Sequence, residues 1–446
     1  EDGHRYFKEA YGRGARVFVG EEAGSVSMPE DACLLRVASS REALALLLNR
    51  FYDFPSKKLR LVGITGTNGK TTVAYLLNYL LGLRLPSAYI GTLGFKSPLS
   101  EGTLFNTTPG AEELYPLLAR MAGEGVRTVS LEVSSHALHQ KRVFDLSFEL
   151  ALFTQLTPEH LDYHFNMEEY FSAKRQLFSG SPRPKKMLIN RDSPYGRRLL
   201  VEFKGAKSFS LEQAADYRAR EIETSFHGSQ FIFEGPKGAV RVKSRLPFIH
   251  NVSNLTAVLA SMDLLGYSPA DFLGSIETFS GVPGRLEPIE GNGFRIFIDY
   301  AHTSDAFENI LSEARRLQPK RILTLFGCGG DRDPFKRPEM TRIAYQYSDI
   351  VLLTSDNPRT ENPAEILRQM RRGLPSTGPL PNVLEILDRR EAIAEVLALA
   401  EPGDTVFILG KGHEDYQILG TDRVHFNDCE VVRGWLKTRQ RDFSEK

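Results

Sequence analysis

Residues 59–82 read LRLVGITGTNGKTTVAYLLNYLLG. LRLVGIT is a continuous apolar run of strand length, and KTTVAYLLNYLLG carries helical apolar spacing. A buried strand is therefore expected to pass through a glycine-rich loop into a helix that begins at Lys70. The usual phosphate-loop spelling puts a glycine five residues ahead of the glycine in the Gly-Lys pair. Counting back from Gly69 reaches Ile64, with Gly63 one step off and Gly66 too close. The strand–loop–helix setting still predicts an anion site, because backbone N–H groups at such a junction point at the ligand and the helix dipole adds to the attraction. Lys70 supplies a point charge for β/γ-phosphates, and the Thr71 hydroxyl can reach Mg²⁺. The competing reading is a glycine turn with an exposed lysine. A phosphate loop identifies nucleotide binding and not the reaction.

The surrounding chain sets the scale. Its 446 residues suggest two or three domains. Hydrophobic content of 41% and charged content of 25% fit a globular protein. Lys+Arg and Asp+Glu both number 56, so no basic excess points to nucleic acid. Cys33, Cys328 and Cys429 form no Cys-x-x-Cys pair, which argues against a disulfide scaffold or thiolate zinc site and for a reducing cytoplasm. No apolar run reaches membrane-spanning length, and no signal peptide opens the chain. The sequence enters abruptly at EDGHRYFKEA, and an N-terminal lobe incomplete at its start is expected.

An α/β fold of three domains follows from the patterning. RVFVG and REALALLLNRFY suggest a small α/β lobe over residues 1–57, ending in a linker at FPSKK. A central parallel sheet is expected over 58–283, with further strands at RTVSLEV and ELALFT and helices near AEELYPLLARMA and MEEYFSAKRQLF. Residues 217–248 alternate and turn at Gly and Pro, which predicts antiparallel hairpins. GVPGR at 281–285 reads as a hinge. Over 284–446, RIFIDYA, RILTLFG, DIVLLTS and DTVFILG alternate with helical patterns, as in a Rossmann-like doubly wound parallel sheet. Trp435 in VVRGWLK is expected to pack rather than to function.

GTNGKTT is followed in order by NTTPG at 106–110, LEVSSHAL at 131–138, HLDYH at 160–164, YFSAKRQLF at 170–178, GRLE at 284–287, DYAHTSDAF at 299–307, GCGGDRD at 327–333, DNPR at 356–359 and GKGHEDYQ at 410–417. In these motifs the chain resembles the Mur ligases, the ATP-dependent enzymes that build the peptidoglycan stem peptide. The resemblance implies amide formation. ATP phosphorylates the terminal carboxylate of UDP-N-acetylmuramoyl-L-Ala-D-Glu, and an amino acid attacks the acyl phosphate with loss of phosphate. It also implies a role in cell wall biogenesis, and so in cell shape and division. The partners expected are this nucleotide-linked dipeptide, ATP and an amino acid, with no nucleic acid and no membrane. The protein is expected to act as a cytoplasmic monomer.

The same resemblance implies residue roles. Gly66, Thr67, Asn68, Gly69, Lys70, Thr71 and Thr72 would hold ATP, with Asn254, Arg285, Asp299 and His302 on the adenine side. Thr71, Glu132 and His160 would serve Mg²⁺, for which hard oxygen ligands suit and imidazole is unusual. Lys174 would carry a CO₂-derived carbamate (N6-carboxylysine), whose oxygens can bind Mg²⁺ or orient the γ-phosphate. That modification needs a neutral amine, whereas most lysines are exposed ammonium groups. Lys70, Glu132, His160 and Lys174 are the expected catalytic set. Thr107, Thr108, Ser134, Gln140 and Arg142 would contact the UDP-muramoyl-dipeptide. The family's uracil contacts lie partly upstream of this chain's first residue, so no uracil pocket is assigned.

DNPR marks the family members that add meso-2,6-diaminopimelate. This substrate carries a distal carboxylate and ammonium where lysine has only the amine. Arg332 and Arg359 would bind that carboxylate by their planar forks, within a site that includes Asp356, Asn357 and Pro358. Glu414 and the Gly410 carbonyl would accept from the ammonium. Two departures loosen the match locally: Ser304 stands where the family more often has Pro, and Pro334-Phe335 replaces a Lys/Gly-like pair. Rival readings are another ligase of the superfamily such as a folylpolyglutamate synthetase, a catalytically dead sensor, and a P-loop ATPase motor.

Overall fold

The apolar run before the glycines forms the strand Arg60–Thr65, and the helix Lys70–Gly82 starts at the lysine. The computed structural model describes residues 3–22 and 28–444 and divides into two compact units. Glu1 and Asp2, the first residues of the EDGHRYFKEA stretch, lie outside the described residues.

The first unit comprises Glu1–Thr65, Leu81–Leu152 and Phe171–Met187. Its small lobe pairs strands Val17–Gly20 and Cys33–Arg36 in parallel and adds the helix Ser40–Phe51, N-capped by the Ser39 side chain. Its sheet places Arg60–Thr65 between Phe148–Phe153 and Thr128–Glu132, followed by Ser87–Gly91 and the short strands Gly94–Lys96 and Glu101–Gly102. The three strands Arg60–Thr65, Thr128–Glu132 and Ser87–Gly91 run parallel and are buried almost throughout, as parallel strands covered on both faces are. Gly63 belongs to this packing and not to the phosphate loop: a Cβ there would meet the Phe148 ring at 2.7 Å. The expected linker FPSKK is instead a short helix, Pro55–Lys58, with Pro55 and Ser56 buried. Proline at the first turn presets the helical φ, and the Ser56 hydroxyl accepts the Ser147 amide at 3.2 Å, so burial leaves it satisfied.

The second unit comprises Gly66–Leu80, Phe153–Tyr170 and Leu188–Lys446. Residues 188–190 pair in parallel with Lys207–Ser210, and the hairpins expected over 217–248 appear as antiparallel Tyr217–Ser225, Gly228–Gly235 and Gly238–Ser244. The helix Ile249–Leu264 follows, buried along most of its length. The C-terminal sheet orders its strands Glu287–Glu290, Arg295–Asp299, Thr405–Leu409, Ile322–Cys328, Ile350–Ser355 and Val383–Glu385. All neighbours are parallel except the first pair. Helices Ser304–Arg316, Lys336–Tyr347 and Pro363–Arg371 pack on one face through residues such as Phe307, Met340 and Ile366. Arg389–Leu399 and Asp428–Ser444 pack on the other through Ile393 and Val432, with Trp435 against the same cluster. This is the expected doubly wound sheet, and it delivers the loops after Cys328, Ser355 and Leu409 to one edge. The segment expected as a hinge makes a tight turn, with Gly284 at φ 64° pressed against Gly412 and His413. Among the described residues no helix is long and apolar enough to cross a membrane.

Candidate functional site

The glycine loop lies in the second unit. Gly66 and Gly69 hold φ of 149° and 87°, conformations that L side chains rarely adopt. The loop is pinned from outside: the Thr67 amide donates to Gln155 O at 2.8 Å, and Thr154 Oγ1 donates to Asn68 O at 2.6 Å. Lys70 folds over it, Nζ donating to the carbonyls of Gly66 and Thr67 at 3.0 and 2.7 Å. Thr67 Oγ1 lies 3.2 Å from the Tyr170 hydroxyl, and Thr71 Oγ1 accepts from Arg285 Nη2 at 3.1 Å. A Cβ on Gly66 would stand 1.9 Å from Thr154 Oγ1. Gly66→Ala is therefore expected to cost about 3 kcal/mol through overpacking and backbone strain. A thermal melt would show the loss, and titration with a fluorescent ATP analogue would show weakened binding.

Beside this loop is a cleft of about 290 Å³, which Asn68, Gly69, Asn254, Arg285, Asp299 and His302 help to line. The expected nucleotide residues are thus brought to one place. The Asp299 carboxylate is buried and braces the wall, accepting the amides of Leu286 and Ala301 at 2.7 and 2.6 Å; burial raises its pKa. The Arg285 guanidinium sits 4.8 Å over the Tyr300 ring. His250 also lines the cleft, and burial pushes its imidazole down to about 4, so it is neutral at neutral pH.

Residues that sequence reasoning passed over complete this region. Glu159 lies 3.6 Å from both the His160 and His302 imidazoles. Asp305 Oδ2 accepts from Asn68 Nδ2 at 2.7 Å and from Thr157 Oγ1 at 3.1 Å, and burial raises its pKa. Burial, and next the Lys336 charge, lower the pKa of His302. Glu159 adjoins HLDYH and Asp305 lies within DYAHTSDAF, so motif membership was the available signal.

In the first unit a second group assembles around Glu132. This carboxylate is fully buried at the end of its strand, and its oxygens accept from the Tyr89 hydroxyl, the Thr92 amide and the Thr92 hydroxyl. Thr108 Oγ1 donates to Glu132 O at 2.7 Å and accepts the Ser134 amide at 3.0 Å. Thr107 meets Thr92 at 3.1 Å. Arg142 donates to Thr108 O at 2.6 Å and to Gln140 Oε1 at 2.7 and 3.1 Å, while the Ser134 hydroxyl caps the helix Ser135–His139. Thr107, Thr108, Ser134, Gln140 and Arg142 are therefore one hydrogen-bonded group. Lys174, on the helix Met167–Ser179, is 1% exposed, against the usual state of lysine.

A third group gathers at the strand-end loops of the C-terminal sheet. Asn357 is buried, its Nδ2 donating to Glu414 Oε2 at 2.8 Å and its Oδ1 accepting the Ile418 amide at 3.0 Å. Arg359 adopts φ 52°, and its Nη1 donates to Gly330 O at 2.7 Å. Gly410, at φ 112°, lies so close to Asp356 that a Cβ would stand 2.8 Å from Oδ2. Arg332 is exposed and donates to Asp331 O. Beneath these loops the ion pair of Arg389 and Asp428 is wholly buried, and Arg389 also donates to Leu409 O at 3.1 Å.

Known proteins match the chain along most of its length. The Mur ligase middle domain matches residues 64–262, and the Mur ligase, glutamate ligase domain matches 284–412. The chain is 41% identical over 415 residues, 92% of its length and 83% of the relative's, to the UDP-N-acetylmuramoyl-L-alanyl-D-glutamate–2,6-diaminopimelate ligase of Thermosynechococcus vestitus. It is 39% identical to the protein of that name from Geobacillus kaustophilus, over 98% of this chain and 90% of the relative. A solved structure bearing the same name matches at TM-score 0.69 and 32% identity, covering 98% and 89% of the two chains. Mycobacterium tuberculosis folylpolyglutamate synthase matches at TM-score 0.66 and 16% identity, over 83% of this chain and 92% of that one, a likeness of fold alone.

Proposed function

Since the chain belongs to the Mur ligase family, we propose that it joins meso-2,6-diaminopimelate to UDP-N-acetylmuramoyl-L-Ala-D-Glu, with ATP as co-substrate, in peptidoglycan precursor synthesis. The observation that carries this reading is similarity along nearly the whole chain to relatives named for that ligation. Residues 1–57, 58–283 and 284–446 are taken as the UDP-binding lobe, the ATP-binding domain and the amino-acid-binding domain. The two family matches, at 64–262 and 284–412, support the last two.

In this reading the loop from Gly66 to Thr72 and Lys70 bind the phosphates of ATP, and Asn254, Arg285, Asp299 and His302 the rest of the nucleotide. The cleft that Asn68, Gly69 and Thr72 of the loop line together with those four residues supports this. Thr107, Thr108, Ser134, Gln140 and Arg142 hold the UDP-linked dipeptide. Arg332 and Arg359 bind the distal carboxylate of diaminopimelate, with Asp356, Asn357 and Pro358 shaping the loop. Glu414 and the Gly410 carbonyl take the ammonium. The donor chemistry of Thr71 and the buried Glu132 fits Mg²⁺, with His160 and a carbamate on Lys174 as further ligands. These residues would hold Mg²⁺, which would supply neutralisation of phosphate charge, one of the two things, with positioning, that phosphoryl transfer requires. Lys174 is 1% exposed, and its carbamylation would require the amine in its neutral form. The reaction belongs in the cytoplasm, the protein acting as a monomer.

The deciding assay is phosphate release with ATP, Mg²⁺ and UDP-N-acetylmuramoyl-L-Ala-D-Glu, with diaminopimelate or L-lysine added in parallel. Release with tripeptide formation is expected with diaminopimelate only. Activity with lysine instead would keep the ligase and overturn its specificity. No release with either would overturn the ligation itself.

A further inference from the structure

Lys411 lies in the GKGHE loop between Gly410 and Glu414, and its side chain is fully buried. A buried ammonium is costly unless it is paired and hydrogen-bonded. Nζ lies 3.1 Å from Glu414 Oε2 and 3.3 Å from Asn357 Oδ1, and 5.5 Å from the centre of the Tyr416 ring. The Asn357 amide closes the triangle by donating Nδ2 to the same Glu414 oxygen at 2.8 Å. Oε2 is thus taken twice. Oε1 receives only a long 3.4 Å contact from the Tyr416 hydroxyl among the described residues.

We propose that Lys411 is a positioning residue for amino-acid selection, fixing Glu414 by Oε2 so that Oε1 is presented to the distal ammonium of the incoming substrate. This rests on the reading that Glu414 accepts that ammonium. The chemistry fits a charge-assisted donor, because a carboxylate held at one oxygen by a cation and an amide has its other oxygen left to accept a further N–H. Lys411 also ties together the two strand-end loops that carry Asn357 and Glu414, so both sides of the pocket share one anchor.

The test is steady-state kinetics of Lys411→Met, Glu414→Gln and the double variant in the full chain. Lys411→Met should raise KM for diaminopimelate about 10-fold or more, with kcat within about threefold, as loss of a ground-state contact requires. KM for ATP and for the UDP-linked dipeptide should stay within about twofold, a split that a loosened fold would not give. Unchanged KM for diaminopimelate, or a joint rise in all three constants, would overturn the proposal. Losing one partner of a buried pair can unfold a protein, so the double variant, which removes both charges, is measured alongside. Its KM for diaminopimelate should match that of Glu414→Gln alone, since Lys411 acts through Glu414. A further rise beyond about twofold would show that Lys411 acts elsewhere and overturn the inference. Should Glu414→Gln leave KM unchanged, the assignment of Glu414 itself fails, and the role of Lys411 falls with it.

Discussion

Lys174→Ala is expected to reduce kcat about 1,000-fold, the scale on which removing one preorganised electrostatic group slows an enzyme. Lys174 is 1% exposed, and only the neutral amine is the nucleophile that can take up CO₂. Conversion to a carbamate replaces a cation by an oxygen-bearing anion, which changes the sign of the charge offered to Mg²⁺ and phosphate. Alanine has no amine, so added bicarbonate should not restore turnover. Phosphate release in the assay above gives the rate, and intact-protein mass before and after acidification reports the labile CO₂ adduct. Near-normal turnover in Lys174→Ala would remove this lysine from the mechanism.

Arg359→Ala is expected to lower kcat/KM for diaminopimelate by about 10³ to 10⁴, because a site built on polar matching discriminates on that scale. Nη1 is anchored on Gly330 O at 2.7 Å, which orients the planar fork and leaves Nε and Nη2 with no hydrogen bond among the described residues. Those two donors match the spacing of a carboxylate. Arg332 is exposed and bonded to its neighbour's carbonyl, so it is the less anchored of the two arginines. Alanine retains the Cβ that already tolerates φ 52° at this position, and the Arg359 amide and carbonyl still pair with Ile418 and Gly420. The loop should therefore keep its path, and the loss should be read as lost recognition. Competition between diaminopimelate and L-lysine gives the measurement. Unchanged selectivity would show that the distal carboxylate is read elsewhere.

Sequence by itself determined the elements whose signals are local. The strand into the glycines, the helix starting at Lys70, the hairpins within 217–248 and four of the five parallel strands of the C-terminal sheet each declare themselves by periodicity and turn chemistry over a few residues. The motifs also placed most candidate residues, since each motif travels as a contiguous word. Tertiary structure alone decided what depends on partners far along the chain. Gly63 is a glycine because the Phe148 ring fills its side-chain space, not because phosphate approaches. Pro55–Lys58 can be buried as a short helix because the Ser147 amide satisfies the Ser56 hydroxyl. Glu159 gains its place from two histidines, one of them on another strand-end loop, and Asp305 from an asparagine in the glycine loop. The burial of Lys174 and of Lys411 is likewise set by packing. A short window of sequence records propensity and pattern, whereas dielectric environment and hydrogen-bond partners come from residues brought together only when the chain folds.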